Sequence, residues 1–99
     1  MEYTFEWDPM KAAGNLRKHG VSFERAATVF LDPRASSIPD DEHSEDEERW
    51  VTIGSDAAAR VLVIVHTFTQ VDARRCRIRL ISGRKATKKE ARQYAKGAP

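Results

Sequence analysis

Residues 2 to 7 alternate strictly. Tyr3, Phe5 and Trp7 fall on one side and Glu2, Thr4 and Glu6 on the other. A period of two predicts a short strand with one buried face. Asp8-Pro9 then opens a helix. The Asp8 carboxylate can accept an orphan backbone N–H, and proline suits the first helical position. The helix should run to about Lys18 and stop at Gly20. Ser22 caps a second helix reaching about Phe30, with Phe23, Ala26, Ala27 and Phe30 on one side. Asp32-Pro33 ends it.

The second half changes to strand patterns. A weak strand is expected at 35–38, followed by an exposed acidic loop. Residues 49–54 re-enter as a strand, and 55–59 read as a hairpin turn. Residues 60–69 form the strongest strand. Its run Val61-Leu62-Val63-Ile64-Val65 is apolar on both faces, which predicts a central strand covered on both sides. A turn at 71–74 leads into a strand over 76–82. Thr87 and Glu90 have the spacing of a capping box, so a last helix should follow and end at Gly97. The order is β-α-α-(β)-β-β-β-α. It predicts an α+β fold in one domain over residues 1–99: a small antiparallel sheet, two N-terminal helices and a C-terminal helix. There are no internal repeats and no linker.

Charge sharpens this picture. The formal net charge is only +2, but residues 40–48 carry seven carboxylates and no Lys or Arg. Residues 74–96 carry ten Lys or Arg and one Glu, a local net of +9. Most charge runs are simply solvated surface. Here, however, Arg77 and Arg79 alternate with Ile78 and Leu80, so one strand face is basic and the other apolar. Such a face suits a nucleic-acid backbone. The one cysteine, Cys76, permits no internal disulfide, and no Cys/His cluster has metal-ligand spacing. No metal or cofactor is expected, and a reducing cytoplasm is. The N-terminus has no apolar signal region, and no stretch approaches membrane-spanning length.

Four segments then carry a resemblance. Phe5-Glu6-Trp7-Asp8-Pro9, Asn15-Leu16-Arg17-Lys18-His19-Gly20-Val21-Ser22-Phe23, Glu47-Glu48-Arg49-Trp50 and Ile81-Ser82-Gly83-Arg84-Lys85-Ala86-Thr87 stand in collinear order over nearly the whole chain. Together they resemble the BrnT family of toxins. The resemblance implies a RelE-like fold and an endoribonuclease that cleaves messenger RNA and blocks translation, acting at the ribosome. It also implies a type II toxin–antitoxin pair. The partner would be a BrnA-type ribbon-helix-helix antitoxin, and operator DNA would be met only through that antitoxin. Two positions depart from the family pattern. Gly83 stands where alanine is usual, and Thr69 stands where many members carry arginine. Glycine should loosen the backbone beside Arg84, while Arg74 or Arg75 could compensate for Thr69 from the turn. If the family needs that arginine, cleavage is attenuated here.

The chemistry of a small ribonuclease narrows the candidates. The 2′-hydroxyl of RNA attacks the neighbouring phosphorus. The enzyme must take the 2′ proton, protonate the leaving oxygen and stabilise charge on phosphorus. The third task suits arginine, whose planar fork binds two phosphate oxygens, and needs no metal. Arg84, which ends the family word at a strand-to-helix junction, is the leading catalytic residue. His19 is a second candidate, because histidine titrates near neutral pH; it could equally be a helix-end residue favouring the dipole. Tyr94 is a third, since the resemblance implies a C-terminal residue that stacks on or activates RNA; packing is its other reading. Lys18, Arg49, Arg77, Arg79 and Lys85 are the RNA-binding candidates. Glu48 and Arg49 could form an ion pair at the rim. His66 reads as structural, His43 as solvated, and Trp7 and Trp50 as core rather than base-stacking. Two further functions compete with the enzyme. One is a catalytically weakened module that binds an antitoxin and helps it occupy an operator. The other is a plain nucleic-acid-binding domain, which the collinear motifs disfavour.

Overall fold

The N-terminal alternation becomes strand β1 (Glu2–Glu6). Helix α1 (Pro9–His19) follows, with the Asp8 side chain accepting from the Met10 N–H and proline in the first turn. Gly20 ends it in the left-handed region, at φ 70°, where only glycine is unstrained. Ser22 caps α2 (Phe23–Ala27), which tightens into a 3₁₀ turn over Thr28–Leu31 instead of continuing as α-helix. The remaining elements are β2 (Ser36–Pro39), β3 (Arg49–Ser55), β4 (Val61–Thr67), β5 (Thr69–Gln70), β6 (Arg75–Lys85) and α3 (Lys88–Ala95). The expected Thr87–Glu90 capping box is present at the start of α3. This computed structural model describes residues 1–40 and 48–97, so His43 and most of the acidic loop lie outside the described residues.

The strands form one sheet in the order β1-β6-β4-β3-β2, with β5 also paired to β6. All pairings are antiparallel except one: β1 runs parallel to β6. The sheet is therefore mixed, where the pattern alone suggested an antiparallel one. A hairpin would force antiparallel pairing, but β1 reaches its neighbour only after the chain has crossed through the helices, which permits a parallel edge.

Cross-strand register sorts every strand residue to one of two sides. Gly54, Leu62, Ile64, His66, Cys76, Ile78 and Leu80 face α1 and α2; the fully buried core is Val21, Phe23, Ala26, Val29, Leu62, Ile64, Ile78 and Leu80. On the outer side, Val51, Val61 and Val65 are only half-buried, and Val63 is buried. The strongest strand is thus central, but α3 covers only part of its outer side. It is also shorter than 60–69, since Thr69 belongs to β5.

A β-bulge resets the alternation in β6. Val65 pairs with Ser82 but His66 pairs with Leu80, which leaves Ile81 as the extra residue. Before the bulge, even-numbered residues point to the helices; after it, Gly83 does. A Cβ at Gly83 would lie 3.2 Å from Ile64 Cδ1 on the neighbouring strand and 3.5 Å from Ala26 Cβ on α2, so the tight neighbour is the strand and the helix lies at ordinary contact distance. β1 pairs with β6 only as far as Glu6↔Arg79. Beyond that point the buried Asn15 side chain takes over the edge. Its Oδ1 accepts from the Gly83 N–H at 3.1 Å, and its Nδ2 donates to the Gly83 and Val21 carbonyls at 2.8 and 2.9 Å. Gly83 is therefore held on both sides rather than loosened.

Candidate functional site

The bulge has a second effect: it turns Arg84 to the outer side, with Arg77 and Arg79. Arg84 pairs across with Val63, an outer residue. Arg77 pairs with Thr4 on β1 and Thr69 on β5, and Arg79 pairs with Glu6. Arg49 pairs with Thr67, whose hydroxyl accepts from the Arg79 backbone N–H at 3.2 Å. Arg49, Thr67 and Arg79 thus form one row across β3, β4 and β6. Arg77 stands in the next row, and Arg84 at the other end of the same face.

These arginines differ in their restraint. Arg77 Nε lies 3.9 Å from a Glu6 carboxylate oxygen, with both side chains half exposed. Arg84 meets Glu90 as a two-pronged fork, Nη1 to Oε1 at 2.8 Å and Nη2 to Oε2 at 3.0 Å. Glu90 Oε1 also accepts from the Thr87 N–H in the capping box. The Arg84 fork, helped by the Thr87 N–H, holds the Glu90 carboxyl down at about 2. The helix cap therefore fixes where the guanidinium sits. Arg84 still has 42% of its side chain exposed, so an anion can reach it.

Tyr94 shares the outer side, one helical turn beyond Glu90. Arg34, Glu90 and Tyr94 wall a groove of about 670 Å³ over Ile38, Val51, Ile53 and Val63. The Tyr94 hydroxyl donates to Asp32 Oδ2, and that bond, with burial, pushes the phenol up. Burial tends to raise the Asp32 carboxyl. The Ser55 N–H, the Tyr94 hydroxyl and the Arg34 N–H outweigh it and hold the carboxyl low. The Arg34 guanidinium lies 5.2 Å from the Tyr94 ring centroid and donates to the Tyr94 and Ala95 carbonyls. Tyr94 is thus an anchor of α3 as well as a wall of the groove.

The eight candidates from sequence divide across the sheet. Arg49, Arg77, Arg79, Arg84 and Tyr94 are on the outer side. Lys18 and His19 end α1, which packs on the other side, with Lys18 exposed and His19 half-buried. Lys85 pairs with Leu62 and so points to the helical side, exposed at the strand's end. Thr69 faces outward directly beside Arg77, so that place holds a neutral side chain next to a cation. Arg75 does not fill it freely, because Asp72 holds its guanidinium at 2.7 Å in the turn. Three residues escaped sequence reasoning as sources of geometry: Asn15, Asp32 and Glu90. Asn15 lies inside a quoted motif, but only its burial reveals its partners. The Thr87-x-x-Glu90 spacing gave the cap and concealed that Glu90 also grips Arg84.

His66 is buried as expected, and burial pushes its imidazole down despite the hydrogen bond to the Thr67 carbonyl. Burial likewise raises the Cys76 thiol. Trp7 packs edge-on against Phe23, with centroids 5.9 Å apart, as a core residue should. Among the described residues there is no group of three or more His, Cys, Asp or Glu that could hold a metal ion. No described helix is long and apolar enough to cross a membrane.

Comparison with known proteins agrees with the fold. The crystal structure of the Brucella abortus ribonuclease toxin BrnT, at 1.1 Å resolution, matches with a TM-score of 0.61 at 21% identity. The match covers 89% of this chain and 100% of that one, and at this identity it speaks for the fold. No curated protein sequence matches the chain. A family model described as the ribonuclease toxin BrnT of type II toxin-antitoxin systems matches residues 7–90. The chain belongs to the BrnT family: it is a ribonuclease toxin of a type II toxin–antitoxin system, and its partner is an antitoxin.

Proposed function

We propose that the outer arginine face is where this toxin grips and cleaves messenger RNA, without a metal, and so stops translation. The observation that carries the reading is the β-bulge at Ile81, which brings Arg84 onto the same side as Arg77 and Arg79. Arg49, Arg77 and Arg79 hold the phosphate backbone, a task that needs cations in rows and no base contact. Arg84 stabilises the charge that develops on the scissile phosphate. Glu90 positions it, so little reorganisation is needed at the moment of reaction. Tyr94 is the better-supported candidate for positioning or proton transfer, because it shares Arg84's side of the sheet; His19 is the weaker one. Lys18 and Lys85 serve RNA segments that pass to the helical side.

The antitoxin, a BrnA-type ribbon-helix-helix protein, covers the arginine face through an acidic or amphipathic segment and alone contacts operator DNA. Its binding weakens with salt, as expected for charge pairing across an interface. Both proteins meet in the cytoplasm, where messenger RNA and ribosomes are.

One observation favours a second reading, an attenuated toxin that serves mainly to hold its antitoxin. Thr69 stands beside Arg77 where many relatives have arginine, and Arg75 is occupied by Asp72. Purified protein and RNA separate the two. The enzyme reading expects cleavage in EDTA, with or without ribosomes, and growth arrest relieved by the antitoxin. If the wild type cleaves nothing in either setting, it falls. Activity that appears only in Thr69→Arg then assigns the attenuation to that position.

A further inference from the structure

The side of the sheet opposite the arginines is not wholly filled by helices. At the end where Trp50 and His66 pair across β3 and β4, a cavity of about 280 Å³ opens between Tyr3, Phe30, Ser37, Trp50, His66 and Phe68. Five of these six side chains are aromatic rings. They meet one another at angles rather than in stacks. Tyr3 and Phe68 centroids are 6.5 Å apart at 66°, and Phe30 and His66 are 4.8 Å apart at 88°. Angled contacts leave aromatic faces uncovered by one another, and a further planar ring can stack on such a face. Tyr3 and Phe68 are 41% and 40% exposed, so the mouth is open to solvent.

The polar side of this cavity has a definite sense. His66 Nδ1 lies 2.8 Å from the Thr67 carbonyl, which can only accept, so Nδ1 carries the ring proton. Nε2 of the neutral ring must then accept, and the Thr52 hydroxyl, 2.6 Å away, donates to it. Having given its proton, Thr52 Oγ1 accepts from the Ser37 hydroxyl at 2.6 Å. The Ser37 proton is thereby turned inward, and only lone pairs of Ser37 Oγ face the cavity. A flat, aromatic occupant that carries a hydrogen-bond donor therefore suits this side of the cavity.

The cavity also stands back to back with the arginine row. Trp50 follows Arg49 directly, and Arg49 points to the outer side with Thr67 and Arg79. The strand end at Arg49 and Trp50 thus presents a cation to one side and an aromatic ring to the other, the two kinds of group that bind the backbone and the base of a single strand. We propose that the cavity receives one unpaired base of the RNA bearing an exocyclic amino group, stacked among Tyr3, Trp50 and Phe68 and donating to Ser37 Oγ. Uracil fits poorly, because its single ring donor lies between two carbonyls that would face the Ser37 lone pairs. The inference rests on the RNA-cleaving reading above, and it alters the sequence expectation for Trp50, which becomes a stacking wall rather than core.

Nucleosides test it apart from cleavage, and without the phosphate that would engage the arginines. Two-dimensional NMR of the intact protein, titrated with adenosine, uridine and N6,N6-dimethyladenosine, reads the Trp50 indole and Phe68 signals. Adenosine should shift them, with uridine and the dimethyl analogue about tenfold weaker, the loss expected for one missing hydrogen bond. Ser37→Ala, an exposed position, should keep its fold and erase that preference; Phe68→Ala should weaken all three. Adenosine that leaves the Trp50 and Phe68 signals unmoved overturns the proposal, as does equal binding of adenosine and the dimethyl analogue. Occupation of the cavity by an antitoxin side chain alone, with no nucleoside binding, overturns it too. If RNA is cleaved but nucleosides do not bind here, only this inference fails. If nucleosides bind as expected and no RNA is cleaved, only the reading of the arginine face fails.

Discussion

The two sides of β6 show how one strand carries both stability and chemistry. Cys76, Ile78 and Leu80 are fully buried against the helices, while Arg75, Arg77 and Arg79, interleaved with them, are exposed. A strand that kept strict alternation to its end would send Arg84 into the core and Gly83 to solvent. The bulge at Ile81 prevents this. One inserted residue lets the glycine meet Ile64 and Ala26 and lets the arginine join the others outside. The helical side tolerates little change in volume because it is close-packed. The outer side can change its charge at small cost to folding, because water already solvates it. Substitutions should therefore fall into two classes according to the side they strike.

The sharpest test of that division lies in the core. Ile64→Ala should cost about 2–5 kcal/mol of unfolding free energy, since it empties a fully buried position next to Gly83. Urea denaturation measures it; an unchanged midpoint would mean the helical side is not where stability resides. Next comes Asn15→Ala, which strips partners from the Gly83 N–H and carbonyl and from the Val21 carbonyl. A cost of about 1–3 kcal/mol is expected for leaving such groups buried and unpaired. Asn15→Asp should fare little better, because a carboxylate cannot donate to either carbonyl.

Smaller effects belong to the outer side. Glu90 is held at about 2 against an ordinary 4.5. Its folded value is depressed, so the stability it contributes is complete above pH 4.5 and is lost as pH falls toward 2. Melting temperature should drop across that window in the wild type and drop less in Glu90→Gln. Equal slopes would mean the Arg84 fork adds nothing to folding. Arg77→Ala, at a half-exposed pair with Glu6, should stay within about 0.5 kcal/mol of wild-type stability. The same variant should flatten the salt dependence of RNA binding by about 0.7 in log–log slope. A large loss of stability with no change in that slope would reverse the assignment of the two sides.

Much of this division was legible in the sequence, for physical reasons that can be named. The alternation of Arg77, Ile78, Arg79 and Leu80 fixes which side each takes, because strand residues point oppositely in turn. The caps at Asp8, Ser22 and Thr87 marked the helix starts because each side chain has one nearby orphan N–H to satisfy. The bulge was not legible, since Ile81-Ser82 looks like any strand pair and only the partner strand reveals the extra residue. The parallel placement of β1 escaped for a similar reason: an edge strand's pattern says which face is buried, not which way its neighbour runs. The separation of His19 from Arg84 depends on which side α1 packs, which short motifs do not encode. The grip of Glu90 on Arg84 was hidden because its capping role already accounted for its position.

The central claim is that Arg84 works on phosphate from the side of the sheet that contributes less to folding. The most direct measurement is the single-turnover rate of RNA cleavage by Arg84→Ala beside the wild type, in EDTA, with melting temperature and antitoxin binding recorded on the same samples. The rate should fall by about 10²–10³, as when one charge contact to the transition state is removed, while folding and antitoxin binding persist. A folded Arg84→Ala protein that cleaves RNA at the wild-type rate would contradict the account.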